Sequence, residues 1–251
     1  MLIGLFTLLL GIFGVGSEDV FYLDKIDKGI KKYITDKERK KELQGDLKNY
    51  TKALNQFAKI LKGHLKELKK KNHDRNTTRQ WYVDFFDSRM EERKELQALF
   101  IDQRSNLQKN ITEDEWTEIM QMATKEANKV EAKEQKKELK QKSKNIFENQ
   151  EQVIKDVIFD PDKKSKVQEA LRTYEQEFIE AQEAYGDINI NETDFLADKN
   201  ASKADMQKFA DNLNVQTINM YKAYMDFLME MKENTNDEEW ASIIKVFNKG
   251  V

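Results

Sequence analysis

The chain has 251 residues, 43 Lys+Arg against 46 Asp+Glu, a net charge of −3, one proline and no cysteine. Without a basic excess, nucleic acid is a poor default partner, and without a thiol, disulfide and thiolate chemistry are excluded. Four of the nine glycines (Gly4, Gly11, Gly14, Gly16) lie before residue 17, so the rest of the chain has too few turn residues for a sheet protein and reads as all-α, rich in Lys, Glu, Gln, Leu and Ala.

Residues 2–16, LIGLFTLLLGIFGVG, carry no charge. The run is short of the ~20 apolar residues a membrane helix needs and suits the core of a signal peptide. Gly14-Val15-Gly16 fits a small-x-small cleavage site. Residues 1–16 therefore read as a signal peptide or an N-terminal membrane anchor, with a periplasmic or secreted domain to follow.

Residues 17–128 form a first helical unit. Thr35-Asp36-Lys37-Glu38 has the spacing of a capping box and predicts a helix start. Leu43, Leu47, Tyr50, Leu54, Phe57, Leu61, Leu65 and Leu68 then recur every three or four residues, one apolar stripe running to about Asn72. A turn at 73–77 precedes a helix from about Thr78 to Lys109, carrying Trp81, Phe85, Leu96 and Leu107. Thr112-Glu113-Asp114-Glu115 opens another, with Trp116 and Ile119 just inside it. That helix is expected to continue into a charged linking helix over 129–158, whose apolar face returns at Ile146 and Phe147.

Residues 159–251 form the second unit. Asp160-Pro161 is an N-cap followed by a proline at the first helical position. A helix to Tyr185, a loop over 186–200, a helix from Ser202 to Glu233 and a short one from Asp237 to Asn248 are expected. Shifting the chain by 124 residues lays the first unit on the second without a gap. Tyr50 falls on Tyr174, Trp116 on Trp240 and Ile119 on Ile243. The architecture predicted is an elongated helical bundle of two tandem repeats of about 124 residues, anchored by those six residues.

Chemical signatures are sparse. His64 and His73 lack a zinc spacing and the Glu-x-x-His pairing of di-iron bundles, and are expected to be exposed. Asp187, Asn189 and Asn191 alternate like the start of an EF-hand loop, but Glu192 stands where glycine is required, so an ordinary interhelical loop is the better reading. Five Asn-x-Ser/Thr triplets, at Asn49, Asn76, Asn110, Asn191 and Asn200, fall largely at helix caps, where such residues are expected anyway. No catalytic residue, cofactor or metal site is predicted. Met225 and Met229 belong to a Met-rich helix of the kind that makes adaptable binding surfaces. If they serve as one, their face is partly exposed or is uncovered when the helix at 237–248 opens.

Ile111-Thr112-Glu113-Asp114-Glu115, followed by Ile119, resembles the Leu-Thr-x-x-Gln motif of the periplasmic Spy/CpxP group. Glu115 takes the place of the Gln, and Thr235-Asn236-Asp237-Glu238-Glu239 is a second, partial copy. The resemblance implies a small all-helical exported protein acting as an ATP-independent chaperone or stress-response regulator. The function expected is non-enzymatic binding of an unidentified protein or peptide. The alternative is a scaffold or spacer tethered at the membrane through the N-terminal segment.

Overall fold

Eight helices, and no strand among the described residues, make up the fold in a computed structural model that describes residues 23–125 and 129–250. They are α1 (Leu23–Tyr33), α2 (Lys37–His73), α3 (Arg79–Asn110), α4 (Glu113–Lys125), α5 (Lys129–Val157), α6 (Pro161–Ala197), α7 (Lys203–Glu233) and α8 (Asp237–Gly250). The signal-like residues 1–16 lie outside the described part. None of the described helices is long and apolar enough to cross a membrane.

Helix starts follow from side-chain caps. Asp36 caps α2 by accepting from the Arg39 amide, and Asp160 accepts from the Asp162 and Lys163 amides at the start of α6. The cap of α2 is thus Asp36 and not Thr35, one residue later than the Thr35-to-Glu38 box implies. Thr112 and Glu115 form a reciprocal capping box at α4, and Asn236 and Glu239 form its counterpart at α8.

Helix is described from Glu113 to Lys125 and again from Lys129, and the expected continuation between them lies outside the described residues. One expected boundary is corrected. The loop expected over 186–200 does not form: α6 runs through Gly186 to Ala197. A single glycine costs a helix only about 1 kcal/mol, which tertiary packing readily overrides. Residues 187–197 are helical, so they do not trace an EF-hand loop.

The helix pattern of residues 23–125 returns 124 residues later. α2 and α6 have equal length and matching bounds, and α3 and α4 begin 124 residues before α7 and α8. Fine contacts return with them. Lys40 Nζ donates to the Lys31 carbonyl and Lys164 Nζ to the Lys155 carbonyl, each at 2.9 Å. The Asn76 and Asn200 amides each donate to the aspartate two residues earlier, Asp74 and Asp198. Within each half the first helix packs on the second and fourth, and the second on the third: α1 on α2 and α4, α2 on α3; α5 on α6 and α8, α6 on α7. Between the halves α3 lies against α7, α2 against α8 and α4 against α6. One apolar core runs through both halves.

Candidate protein-binding surface

The six repeat anchors are all core residues. Trp116 and Trp240 are 2% and 3% exposed, and Ile119, Ile243, Tyr50 and Tyr174 are equally enclosed. Burial raises the phenol pKa of both tyrosines, and neither hydroxyl meets a hydrogen-bond partner among the described residues. The two tryptophans differ in company. The Arg104 guanidinium lies 4.0 Å over the Trp116 ring, whereas the buried Trp240 indole nitrogen meets no acceptor among the described residues.

The methionine face is enclosed at Met225 and partly open at Met229. Met225 is 6% exposed and Met229 is half-buried against the core. The helix expected to act as a lid, α8, buries Trp240, Ile243, Ile244 and Phe247. Phe247 touches the rings of Tyr174, Tyr224 and Phe227. Near its C-terminus, α8 also joins a buried polar cluster. Asn72 Nδ2 donates to the Tyr224 hydroxyl (2.8 Å) and to Asn248 Oδ1 (3.0 Å). Asn72 Oδ1 accepts from the Tyr82 (3.2 Å) and Tyr224 (3.0 Å) hydroxyls, and Asn248 Nδ2 donates to the Lys69 carbonyl. The four hydrogen-bonding positions of one amide are therefore used, and α2, α3, α7 and α8 are tied at one point.

Exposed apolar side chains occur on several helices, Val215 (53%) and Ile218 (37%) on α7 and Leu99 (41%) on α3 among them, and they gather on α2. Along α2 no residue from 55 to 67 is fully buried. Phe57 and Leu61 are half-buried there, and Ile60 is 47% exposed. At the equivalent of Phe57, α6 has the fully buried Ala181. Among the described residues the most exposed large apolar side chain is Phe159, 83% exposed in the turn before α6. An open groove on the other side of α2 is bordered by Asp27, Lys31, Gln44, Lys48 and Lys52, so its charged residues are mainly cationic.

His64, at the same level of α2, is not the exposed histidine expected. Its Nδ1 accepts from Arg89 Nη1 at 2.6 Å, and its Nε2–H donates to Glu92 Oε2 at 3.1 Å. A guanidinium can only donate, so this ring is the neutral Nε2–H tautomer. Burial and then the Arg89 charge lower the His64 pKa, while Glu92 opposes them. Arg89 also pairs with Glu92 at 3.0 Å, which closes the triangle. His73 is exposed, as expected.

Among the described residues, no three His, Asp or Glu side chains converge as a metal site requires. Asn76 and Asn200, the exposed members of two Asn-x-Ser/Thr triplets, occupy matching turns in which Thr78 and Ser202 serve as helix caps. Comparison with protein-family models, with curated proteins and with solved structures finds no match to this chain.

Proposed function

We propose that this is an exported, non-enzymatic helical protein that binds proteins or peptides through apolar surface on its first half, in a chaperone-like manner. The observation that carries the reading is the middle of α2. Phe57, Ile60 and Leu61 stand there within two turns, none of them fully buried, in a stretch, 55–67, in which no residue is fully buried. A client must gain apolar burial worth ~25 cal/mol per Å², and only surface that is open before binding can supply it at no cost of unfolding. The signal-like run at 2–16 supports export. Met229, already partly exposed, would contribute directly, whereas Met225 is enclosed.

The test is suppression of aggregation of an unfolded client without ATP. The protein is expected to slow aggregation, and Phe57→Ser with Ile60→Ser to weaken that effect while helicity is retained. Met225→Ser with Met229→Ser reports on the route through α8. A second reading, a spacer tethered at the membrane, draws support from the enclosure of Trp116, Trp240 and Met225. No suppression at several-fold molar excess makes the spacer the better account.

A further inference from the structure

Three pairs of polar contacts between the halves are exchanged, while others, such as those of Asn72 with Tyr224 and Asn248, have no mate. Arg75 pairs with Asp237 (2.9 Å), and Lys199 with Glu113 (3.4 Å). Arg79 pairs with Asp226, and Lys203 with Asp102. Lys232 Nζ donates to the Thr77 carbonyl (3.2 Å), and Gln108 Nε2 to the Ala201 carbonyl (3.0 Å). In each case the second contact is the first with both partners moved by 124 residues and the halves exchanged. Contacts in which residue i meets j and j meets i define an isologous interface, the kind that joins the two subunits of a symmetric dimer. The pseudo-two-fold axis passes between α3 and α7, beside Met90 and Glu91, midway between Arg79 and Asp102, on one and beside Asn214 and Val215, midway between Lys203 and Asp226, on the other. The packing follows the same rule: α3 meets α7, and the α2–α8 contact has the α4–α6 contact as its mate.

We infer that the chain is a fused dimer, and that the interface between its halves accepts the complementary half of a second copy of this chain. Nothing in the exchanged contacts distinguishes a half on the same chain from the same half on another. The helix that leads into the second half, α5, packs chiefly on α6 and α8, within its own half. Covalent linkage therefore selects the internal pairing through effective concentration alone, an advantage of about millimolar for a short connection. Chains refolded near that concentration, or chains whose internal pairing is weakened, exchange halves.

The experiment uses two full-length variants, each repulsive within itself and complementary to the other. Asp102→Lys with Asp226→Lys places cation against cation at both exchanged sites, and Arg79→Asp with Lys203→Asp places acid against acid. Only a dimer with exchanged halves, one chain of each kind, restores all four ion pairs. After the two are unfolded together and refolded, native mass spectrometry should find one-to-one heterodimers outnumbering either homodimer by about tenfold, the sum of several exposed pairs each of modest strength. A mixture that yields two separate folded monomers, or homodimers as abundant as heterodimers, overturns the inference. If neither variant folds alone, recovery of helicity in the mixture supports it and absence of recovery counts against it. A second measurement avoids charge repulsion. Asp102→Cys with Lys203→Cys in this cysteine-free chain, treated with a short bismaleimide, should give internally linked monomers after dilute refolding and covalent dimers after concentrated refolding. Internal linkage at every concentration overturns the inference.

Discussion

The two halves have the same helix order and the same caps, yet they close differently. In the second half, α6 and α7 pack along a long contact around Tyr174, whose ring stacks on Phe227 and meets Phe147, Phe178 and Phe247. In the first half, α2 and α3 meet less extensively, and Tyr50 faces Phe100. The residues explain the difference. Where the second half has Phe178, Phe227 and Phe247, the first has Leu54, Gln103 and Ala123. Where the second has Leu213 and Leu228, the first has Arg89 and Arg104. Four large apolar side chains fewer, and two cations more, leave α2 held against α3 partly by polar contacts. A shared frame therefore carries a closed aromatic core on one side and a looser seam on the other, and the exposed apolar residues of α2 lie on the looser side.

The comparison is tested most forcefully by giving the second half a residue of the first. Phe247→Ala places alanine where the first half has Ala123. Phe247 is fully enclosed among aromatic rings, so the variant should lose ~3–5 kcal/mol of unfolding free energy in a denaturant titration. A loss below ~1 kcal/mol would show that the aromatic core is not what closes the second half. Next in size is Asn72→Ala, which removes the amide that meets Tyr82, Tyr224 and Asn248. Leaving buried polar groups without partners should cost ~2–3 kcal/mol. Asn72→Leu, the residue at the matching position 196, should restore volume without restoring stability. Equal stability of Asn72→Leu and the parent would mean that the polar tie between the halves is replaceable by packing.

Much of this frame is legible in the amino-acid order. The absence of turn residues specifies helices, and the 124-residue shift places Trp116, Trp240, Tyr50 and Tyr174 in the core before any coordinates. What escaped reading depends on contacts distant in sequence or on competition between local signals. Thr35 and Asp36 both suit a cap, and the proline after Asp160 marks the aspartate as the one used, a cue available from the repeat. Gly186 looks like a helix end, but its local preference is overridden within a 37-residue helix. His64 acquires its partners from α3, about 25 residues away, and Met225 lies in the core although its helix is generally Met-rich; neither follows from local pattern. The exchanged ion pairs were also present in the sequence. Arg75 and Lys199, Arg79 and Lys203, Asp102 and Asp226, and Glu113 and Asp237 keep their charge sign across the shift, a signal that identity counting does not register.

The first half also contains three glycines within described helices, and they separate close packing from open surface. A Cβ at Gly29 would stand 2.9 Å from Ile119 Cγ2, so α1 approaches α4 there as only glycine allows. The matching position on α5 is Val153. Gly29→Ala gains helix propensity but must displace a buried isoleucine, and should be destabilising by ~1 kcal/mol net. At Gly45 and Gly63 a Cβ meets nothing within 4 Å, so alanine there should stabilise by ~0.5–1 kcal/mol. Thermal unfolding of the three variants checks the contrast. Equal shifts at all three would mean that α1 can move away from α4, and that the first half is loose at that contact also.

The smallest expected effect is specific to the seam itself. His64 is neutral between Arg89 and Glu92, with burial and the Arg89 charge holding its pKa below the ordinary histidine value. The unfolded chain then binds a proton more readily than the folded one, so stability rises with pH across this transition. Its contribution is present in full above the unfolded value of about 6.5 and is lost as pH falls through the folded pKa. Glu115 acts in a separate, more acidic window. Burial works to raise its pKa, but hydrogen bonds from Thr112 and the charge of Arg39 hold it below the usual carboxylate value, so its share is lost only when that carboxylate protonates. Between pH 7 and 5 the slope of unfolding free energy should therefore decrease in His64→Leu. Hydrogen exchange locates the effect. On acidification, the amides of α2 and α3 around His64 and Glu92 should lose protection before those of α6 and α7, where Leu213 and Gln216 occupy the places of Arg89 and Glu92. Simultaneous loss of protection in both halves would mean that the seam is coupled rigidly to the aromatic core, and that the difference between the halves is one of composition without consequence for their opening.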